Sequence, residues 1–564
     1  MVKRIFLFYL LIVAVLPAAQ AIKPEDVKPV KNLILLIPDG TSLATVSAAR
    51  WYQFYQHPDR PKLYIDPYLC GTVRTTCSDA PIGDSAPTTS CYMTGYPSLA
   101  GYVSTYPVSR GADDIIPMDP ARAYQPLTTL LEAVRMLQGK ATGLVFTCEF
   151  PHATPADCAA HSYNRGRYDW IVPQMVHNDL DVVIGGGVSL LSDDEEAYLK
   201  RNGYAIYRND IEGMRHDTGL KMWALYSDRD MAYDLDRDPV KEPSIEEMTR
   251  KAIEKLSENE KGFVLMVEGS KVDWAAHAND PVAMITEFLA FDRACHAALE
   301  FAEKDGQTLV VVVPDHGNSG FSIGERNCPS YSKMTTEDLF GPITQMKHTA
   351  EGIAKRLNES PSAVAQQIFR EETGFELSPE ELKTLHHCKG YKNSPVPEAE
   401  RTDKDVLPSL YSSSLNTFVA KFITSKTCFG FTTGGHTGED VFLAAYHPAG
   451  TLPTGMNINV ELNHYMAAAL GLTGKLDDLT ALNFAPHTQA LDGYTYDIIP
   501  PATEKGNPTL VVKNKKKQLT ITPFTNIVKA GKKGQEEIRL QSVIIYVDAN
   551  QTFYLPKSLK DYLK

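Results

Sequence analysis

Residues 263–277 read FVLMVEGSKVDWAAH, where an unbroken apolar run leads directly into three side chains that can bind a metal ion. Residues 263–267 are short and continuously apolar, as in a strand buried on both faces of a parallel sheet. Glu268 ends this predicted strand, and Asp273 and His277 follow one helical turn apart, so both can face a single ion. Ligands collect at the carboxyl ends of the strands in an open α/β sheet. This stretch therefore predicts such a sheet, with a site at that edge.

Strand-like runs alternate with helical ones from about residue 31 to residue 313. The predicted strands are residues 33–37, 142–146, 181–184, 263–267 and 308–313. Between the last two strands, apolar residues at near-helical spacing predict a helix that Gly306 terminates. The alternation predicts an α/β fold with a mostly parallel central sheet flanked by helices.

Two segments depart from this pattern. Residues 322–430 or so are polar with helical stretches, and we interpret them as a helical insertion within a catalytic domain of residues 22–500. The insertion either borders the mouth of the predicted site or is a surface excursion without a catalytic role. LVVKNKKKQLTITPF and LQSVIIYVDANQTFYL predict a hairpin and a second strand pair. Residues 501–564 are therefore predicted to form a small C-terminal β extension.

The first 21 residues, MVKRIFLFYLLIVAVLPAAQA, have the pattern of a signal peptide. Lys3 and Arg4 precede an apolar segment, and Ala19 and Ala21 form a small-residue cleavage site. The apolar run is shorter than the roughly 20 residues of a comfortable membrane helix, and the C-terminus, KSLKDYLK, lacks the hydrophobic tail of a GPI signal. We expect an exported protein, periplasmic or secreted, without a membrane anchor.

The nine cysteines fall into two groups. Four lie within apolar patterns and are predicted to be buried and unpaired: Cys91, Cys148, Cys158 and Cys295. An oxidising compartment permits disulfides, and two alternatives stay open: Cys70 with Cys77, or a pair among Cys328, Cys388 and Cys428.

Further segments also place metal-ligand side chains after strand-like runs. They are LILLIPDG with Asp39, VVVVPDHG with Asp315 and His316, and TTGGHTG with His436. Carboxylates and imidazoles without thiolates suit Zn²⁺ together with a harder ion such as Mg²⁺.

The turn GDSAPTTSCYMTG adds a candidate nucleophile, Ser85. Residues 86–94 can form a helix closed by Gly95, which puts Ser85 at a helix N-terminus that favours anions. The alternative is that Ser85 only caps the helix.

Taken together, these motifs resemble the alkaline phosphatase family over about residues 31–475, with residues 322–430 as the variable insertion. The order is the family's: D-G after the first strand, then D-S-A with T-G, E-G…D…H, D-H and H-T-G. The segment HATPADCAAHSYNR adds His152, Thr154 and Arg165 at matching positions.

The resemblance implies two Zn²⁺ ions and one Mg²⁺ ion. The first Zn²⁺ would be held by Asp273, His277 and His436. The second would be held by Asp39, Asp315 and His316, with Ser85 beside it. The third site, usually Mg²⁺, would use Asp39, Thr154 and Glu268. His152 stands beside this site where some members have Asp, which suits Zn²⁺ or Co²⁺ better than Mg²⁺; the alternative is that it orders water around Mg²⁺.

The implied activity is hydrolysis of small phosphate monoesters, with a phosphoserine on Ser85 and with Arg165 binding two phosphate oxygens through its planar fork. A homodimer is common in the family. The net charge of −13 argues against nucleic acid as a structural partner. Two alternatives stay open: a phosphodiesterase of the same superfamily, and a non-catalytic surface protein that binds phosphate or metal.

Overall fold

The structure, a computed structural model, describes residues 22–326, 328–329, 331–404, 406–503, 506–514, 517–531 and 536–564. The predicted signal peptide, residues 1–21, lies outside the described residues. Within the described ranges, we found no helix that is both long enough and apolar enough to cross a membrane.

The strands are numbered in chain order. They are β1 (Asn32–Pro38), β2 (Leu69–Arg74), β3 (Ala141–Glu149), β4 (Val182–Gly186), β5 (Ala205–Arg208), β6 (Met222–Tyr226), β7 (Phe263–Gly269), β8 (Thr308–Val312), β9 (Gly317–Asn318), β10 (Ser322–Ile323), β11 (Phe429–Gly430), β12 (His436–Thr437), β13 (Val441–Tyr446), β14 (Gly455–Ile458), β15 (Ala485–Pro486), β16 (Thr495–Ile499), β17 (Thr509–Lys513), β18 (Gln518–Ile521), β19 (Ile527–Gly531), β20 (Glu536–Arg539), β21 (Ile545–Val547) and β22 (Thr552–Leu555).

The α-helices are numbered in the same way. They are α1 (Leu43–Gln56), α2 (Ser85–Thr94), α3 (Leu130–Ala133), α4 (Ala153–Asp157), α5 (Tyr168–His177), α6 (Asp193–Arg201), α7 (Ile211–His216), α8 (Ile245–Leu256), α9 (Lys271–Ala278), α10 (Pro281–Asp305), α11 (Thr336–Thr344), α12 (Ala350–Glu359), α13 (Ala365–Thr373), α14 (Pro379–His386), α15 (Leu415–Ser425), α16 (Asn459–Ala469), α17 (Lys475–Asn483) and α18 (His487–Ala490).

The central sheet has ten strands in the order β14-β2-β13-β8-β1-β7-β3-β4-β6-β5. Strand β13 is antiparallel to both of its neighbours, β2 and β8, and the remaining neighbours pair in parallel. The predicted α/β class with a mostly parallel sheet is thus confirmed. The five predicted strands correspond to β1, β3, β4, β7 and β8, with small differences at their ends.

The sheet is buried on both faces, as its continuously apolar strands predict. In β1, Ile34 and Leu36 pack into one hydrophobic core, whereas Leu33 and Leu35 pack into a second. Successive strand residues point to opposite faces, so these two cores are the two faces of one sheet, each covered by helices. The predicted helix before β8 is α10, and Gly306 ends it in the left-handed conformation at φ +66°.

Helices α11–α15 lie between β10 and β11, in the stretch interpreted as a helical insertion. Its two ends meet because β10 pairs with β11 and Cys328 forms a disulfide with Cys428. This pairing resolves the open disulfide question, and Cys70, Cys77 and Cys388 are free thiols. Helix α15 packs against α9, where Thr424 donates a 3.0 Å hydrogen bond to the carbonyl of Asn279.

The C-terminal region forms two small antiparallel sheets, β16–β20 and β15-β22-β21. The predicted hairpin is β17 with β18, and the predicted second pair is β21 with β22. Strand β16 belongs to the same sheet and begins before residue 501, so the β-rich region starts earlier than the sequence pattern suggested.

Candidate metal centre and active site

The sequence-predicted residues come together at the carboxyl edge of the central sheet. Asp39 directly follows β1, and Asp315 and His316 follow β8 closely. These two strands pair in parallel, so their ends meet. Glu268 lies near the end of β7, the other neighbour of β1. The edge thus collects candidate ligands from three adjacent strands, as expected for an open α/β sheet.

Asp273, His277 and His436 form the first group of candidate metal ligands. Helix α9 presents Asp273 and His277 on one turn, with His277 Nε2 3.4 Å from Asp273 Oδ2. His436, from strand β12, brings its Nε2 within 3.2 Å of His277 Nε2 and 3.8 Å of Asp273 Oδ1. The His277 Nδ1 faces the carbonyl oxygen of Gly434 at 2.7 Å, which orients the ring.

Asp39, Asp315 and His316 form the second group, and all three side chains are fully buried. His316 Nε2 lies 3.3 Å from Asp39 Oδ1 and 3.3 Å from Asp315 Oδ2. Zinc binds nitrogen and oxygen ligands at 2.0–2.2 Å, so two ligand atoms of one tetrahedral ion lie about 3.3–3.6 Å apart. The ligand atoms of Asp39, Asp315 and His316 all lie within 4.8 Å of one another, and so do those of Asp273, His436 and His316. His277 lies beside the latter set, 3.4 Å from Asp273 and 3.2 Å from His436.

Ser85 begins helix α2 beside the second group. Its Oγ lies 3.3 Å from His316 Nε2 and 3.4 Å from Asp39 Oδ2. Asp84, not Ser85, occupies the N-cap position, and Gly95 ends the helix at φ +76°. The Ser85 hydroxyl is thus directed at the ligand group rather than at the helix backbone. Free N–H groups at this helix N-terminus favour an anion next to it.

A third group consists of Cys148, His152 and Glu268, whose ligand atoms all lie within 4.8 Å of one another. Thr154, at the start of α4, is fully buried. Across the described residues, Thr154 Oγ1 and Glu268 Oε1 are buried without a hydrogen-bond partner. The unsatisfied oxygen of Glu268, whose other oxygen lies 3.3 Å from the Cys148 sulfur, fits a bound cation that would satisfy it.

Arg165 lies between Asp84, the residue before Ser85, and His152 of the third group. One guanidinium nitrogen donates a 2.7 Å hydrogen bond to Asp84 Oδ1, and the other lies 3.1 Å from His152 Nε2. Because a guanidinium can only donate, Nε2 of His152 accepts, and the ring proton of the neutral imidazole sits on Nδ1. Burial, reinforced by the charge of Arg165, lowers the pKa of His152 to about 3, so the ring is neutral.

The site concentrates buried carboxylates. Burial raises the pKa of Asp39 well above its usual range, and the charges of Asp315 and Asp273 raise it further. Burial likewise raises the pKa of Glu268 to about 7. Neighbouring carboxylates that are buried away from water need a compensating positive charge. The donor set of carboxylates and imidazoles fits divalent metal ions.

Two of the residues that shape this site were not assigned roles from the sequence. Asp84 was visible only as the residue before Ser85, and its pairing with Arg165 depends on the fold. Cys148 was predicted to be a buried, unpaired cysteine, which it is, but its sulfur faces Glu268 Oε2 at 3.3 Å. Its position near the end of a predicted strand, where ligands collect, was the available signal.

Comparison with known proteins identifies relatives of this chain. The profile of the family described as alkaline phosphatase matches residues 30–472. Alkaline phosphatase 4 of Bacillus subtilis is 32% identical over 439 residues, covering 76% of this chain and 86% of that protein. The cold-active alkaline phosphatase of a psychrophilic Shewanella species has a solved structure that matches with a TM-score of 0.64 at 26% identity, covering 78% of this chain and 99% of that one. A mutant of TAB5 alkaline phosphatase, solved with bound Mg, matches with a TM-score of 0.52 at 23% identity, covering 79% and 99%.

Proposed function

The chain belongs to the alkaline phosphatase family and is a phosphomonoesterase, and we propose that it is an exported enzyme that cleaves small phosphate monoesters through a phosphoserine on Ser85. One observation carries the proposal. The Ser85 hydroxyl lies at a helix N-terminus, within 3.4 Å of two residues of the second ligand group. A serine used only as a helix cap would direct its oxygen to the helix backbone instead.

We assign the metal ions as the resemblance implies. The first Zn²⁺ would bind Asp273, His277 and His436, and the second Asp39, Asp315 and His316. A third divalent ion, Mg²⁺ or another, would bind Asp39, Thr154 and Glu268. Such ions, when bound, act as Lewis acids that stabilise an alkoxide and lower the pKa of a bound water.

The protein's own groups hold the substrate for in-line attack. Arg165 can bind two phosphate oxygens through its fork. Its hydrogen bond to Asp84, the residue directly before Ser85, holds the guanidinium beside the nucleophile. The N–H groups at the start of α2 add anion stabilisation. The Ser85 oxygen forms the bond to phosphorus while the ester P–O bond breaks and the alcohol leaves. Water then cleaves the phosphoserine, which returns free Ser85 and inorganic phosphate.

Hydrolysis of p-nitrophenyl phosphate across neutral and alkaline pH tests the activity, before and after EDTA and after return of Zn²⁺ and Mg²⁺. We expect alkaline activity that chelation removes and the metals restore. Acid quenching during turnover, followed by mass spectrometry, should find phosphate on the peptide containing Ser85. Ser85→Ala should lose both signals, whereas Ser90→Ala, in the same buried helix, should keep them. Turnover by Ser85→Ala at the unaltered rate would exclude the phosphoserine route.

Export and assembly belong to the same proposal. A disulfide between Cys328 and Cys428 is typical of proteins that fold in an oxidising compartment. Cell fractionation with N-terminal sequencing should find a mature chain that begins at or near Ile22 outside the cytoplasm; a full-length cytoplasmic chain would contradict export. Sedimentation analysis would test the homodimer, and a monomer at micromolar concentration would contradict it.

A further inference from the structure

We propose that Cys148 is a ligand of the third metal ion, so that this site takes Zn²⁺ or Co²⁺ in preference to Mg²⁺. The inference rests on the proposed third metal site and adds a ligand that the resemblance does not supply. It differs from the expectation that His152 is the residue that broadens the metal preference.

The register of the central sheet places the sulfur. Strands β3 and β7 pair in parallel, with Phe146 opposite Glu268. Cys148 lies two residues further along β3, and its Sγ comes within 3.3 Å of Glu268 Oε2. The Ser270 hydroxyl accepts hydrogen bonds from the backbone N–H groups of Thr147 and Cys148, at 3.2 and 3.1 Å, and fixes this segment. The thiol is therefore held in the site.

The spacing suits a shared ion. Zinc binds thiolate sulfur at about 2.3 Å and carboxylate oxygen at about 2.0–2.2 Å, so sulfur and oxygen of one tetrahedral site lie about 3.6 Å apart. The observed 3.3 Å needs only a small opening. Glu268 Oε1 and Thr154 Oγ1 are fully buried and have no hydrogen-bond partner among the residues described. These unsatisfied atoms are an independent sign that this place binds a cation.

His152 is less available than Cys148. Its Nε2 accepts from Arg165 at 3.1 Å, so Nδ1 carries the ring proton and cannot bind an ion until Arg165 moves away. The buried sulfur of Cys148 has to lose its own proton, but no neighbouring side chain has to move away from it. Cys148, rather than His152, is therefore the soft ligand that the fold places in the third site.

The chemistry requires only a proton transfer. Without metal, the thiol donates to the Glu268 carboxylate. On binding, the S–H bond gives up its proton to solvent, the sulfur lone pair forms the bond to the ion, and neither partner changes oxidation state. Thiolates suit Zn²⁺ and Co²⁺, whereas Mg²⁺ prefers oxygen ligands and retains water. The site therefore discriminates against Mg²⁺.

The test is a titration of the metal-free full-length protein with Co²⁺, followed by absorption spectroscopy. A thiolate bound to Co²⁺ gives a charge-transfer band in the near ultraviolet. We expect this band in the wild type and in the matched control Cys158→Ala. In the wild type, the sulfur of Cys158 contacts the backbone carbonyl of Thr154 at 3.5 Å rather than Glu268. It should be absent from Cys148→Ser. In competition with Mg²⁺, the preference of Cys148→Ser for Zn²⁺ should be weaker than that of the wild type. The decrease should exceed the roughly 10- to 100-fold that is typical when a residue that only supports a metal ligand is replaced.

The outcomes separate the two proposals. Three bound Co²⁺ ions per wild-type chain without the band would overturn the role of Cys148 and leave the proposed function intact. Persistence of the band in Cys148→Ser would overturn it as well. A chain that binds fewer than three ions would instead contradict the proposed third site. If Cys148→Ser does not fold, the wild-type spectrum together with Cys158→Ala still decides the point.

Discussion

The Tyr163 hydroxyl donates a 2.5 Å hydrogen bond to Oδ1 of Asp548, which ties the segment carrying Arg165 to the C-terminal β-rich region. The other oxygen of Asp548 lies 3.6 Å from the guanidinium of Arg167. The Asp548 carboxylate thus contacts both Tyr163 and Arg167, which lie two positions before and two positions after Arg165. The backbone N–H of Arg165 also donates to the carbonyl of Gly101 at 2.7 Å. The C-terminal region therefore helps to hold the phosphate-binding arginine in place.

We predict that Asp548→Asn raises KM for p-nitrophenyl phosphate about 2- to 5-fold with little change in kcat, because a half-exposed ion pair contributes roughly 0.2–1 kcal/mol. The inhibition constant of inorganic phosphate should rise in parallel. Asp561→Asn is the matched control, since it removes an exposed pair with Lys564 in the same region. Equal effects of the two variants would show that Asp548 acts only through general stability.

We predict that Arg165→Lys weakens inhibition by inorganic phosphate about 10- to 100-fold. Lysine keeps the charge but loses the planar fork that can bind phosphate oxygens while it pairs with Asp84. Charge-assisted hydrogen bonds of this kind contribute roughly 1.5–3 kcal/mol each. Arg250→Lys, which alters an exposed arginine between Glu246 and Glu300, should behave as wild type. Unchanged phosphate inhibition in Arg165→Lys would place the phosphate elsewhere.

The main sheet and the position of Ser85 could be predicted because local signals agree with the fold. Apolar runs such as β1 and β7 are buried on both faces, and Gly95 and Gly306 end their helices in the left-handed conformation that glycine adopts without strain. These features depend on residues that are close in sequence. Residues that follow adjacent parallel strands must then meet at one edge.

The contacts that depend on register or on long-range pairing could not be predicted. Nothing in the run that contains Cys148 shows that its sulfur faces Glu268, because that depends on how β3 aligns with β7. The choice of Cys428 as the partner of Cys328 likewise requires β10 to pair with β11 across the insertion. Spacing along the chain carries no information about either alignment.

A buried glutamate away from the metal centre gives a pH-dependent stability. Glu287, in α10, accepts a hydrogen bond from the backbone N–H of Asp234, and burial raises its pKa from 4.5 to about 8, with the charge of Asp234 adding to the shift. Lys271 acts in the opposite direction, and Asp236 in the same direction. The folded protein thus favours the protonated carboxyl group. Its stabilising contribution is complete below pH 4.5 and is lost as the pH rises to about 8.

We predict that Glu287→Gln, which is neutral at every pH and keeps an acceptor oxygen, becomes more stable relative to the wild type as the pH rises from 4.5 to 8. The relative gain should be on the order of 2–4 kcal/mol. Urea unfolding at a series of pH values measures it, and bound metals affect both proteins alike. Glu258→Gln, at an exposed position, should show no such trend. Parallel stability curves for wild type and Glu287→Gln would contradict the prediction.

The disulfide between Cys328 and Cys428 should stabilise the insertion more than the sheet. It closes a segment with a sequence separation of 100 residues, and such closure limits the unfolded chain, which typically contributes about 2–4 kcal/mol. We predict that dithiothreitol lowers the unfolding temperature of the wild type but not that of Cys328→Ser/Cys428→Ser. Cys388→Ser should respond as the wild type does, because Cys388 is a free thiol in the same segment.

Since α15 packs on α9, reduction of the disulfide between Cys328 and Cys428 should also weaken metal retention at Asp273 and His277, as metal release to a chelator would measure. Equal release before and after reduction would show that the insertion does not support the metal-binding helix.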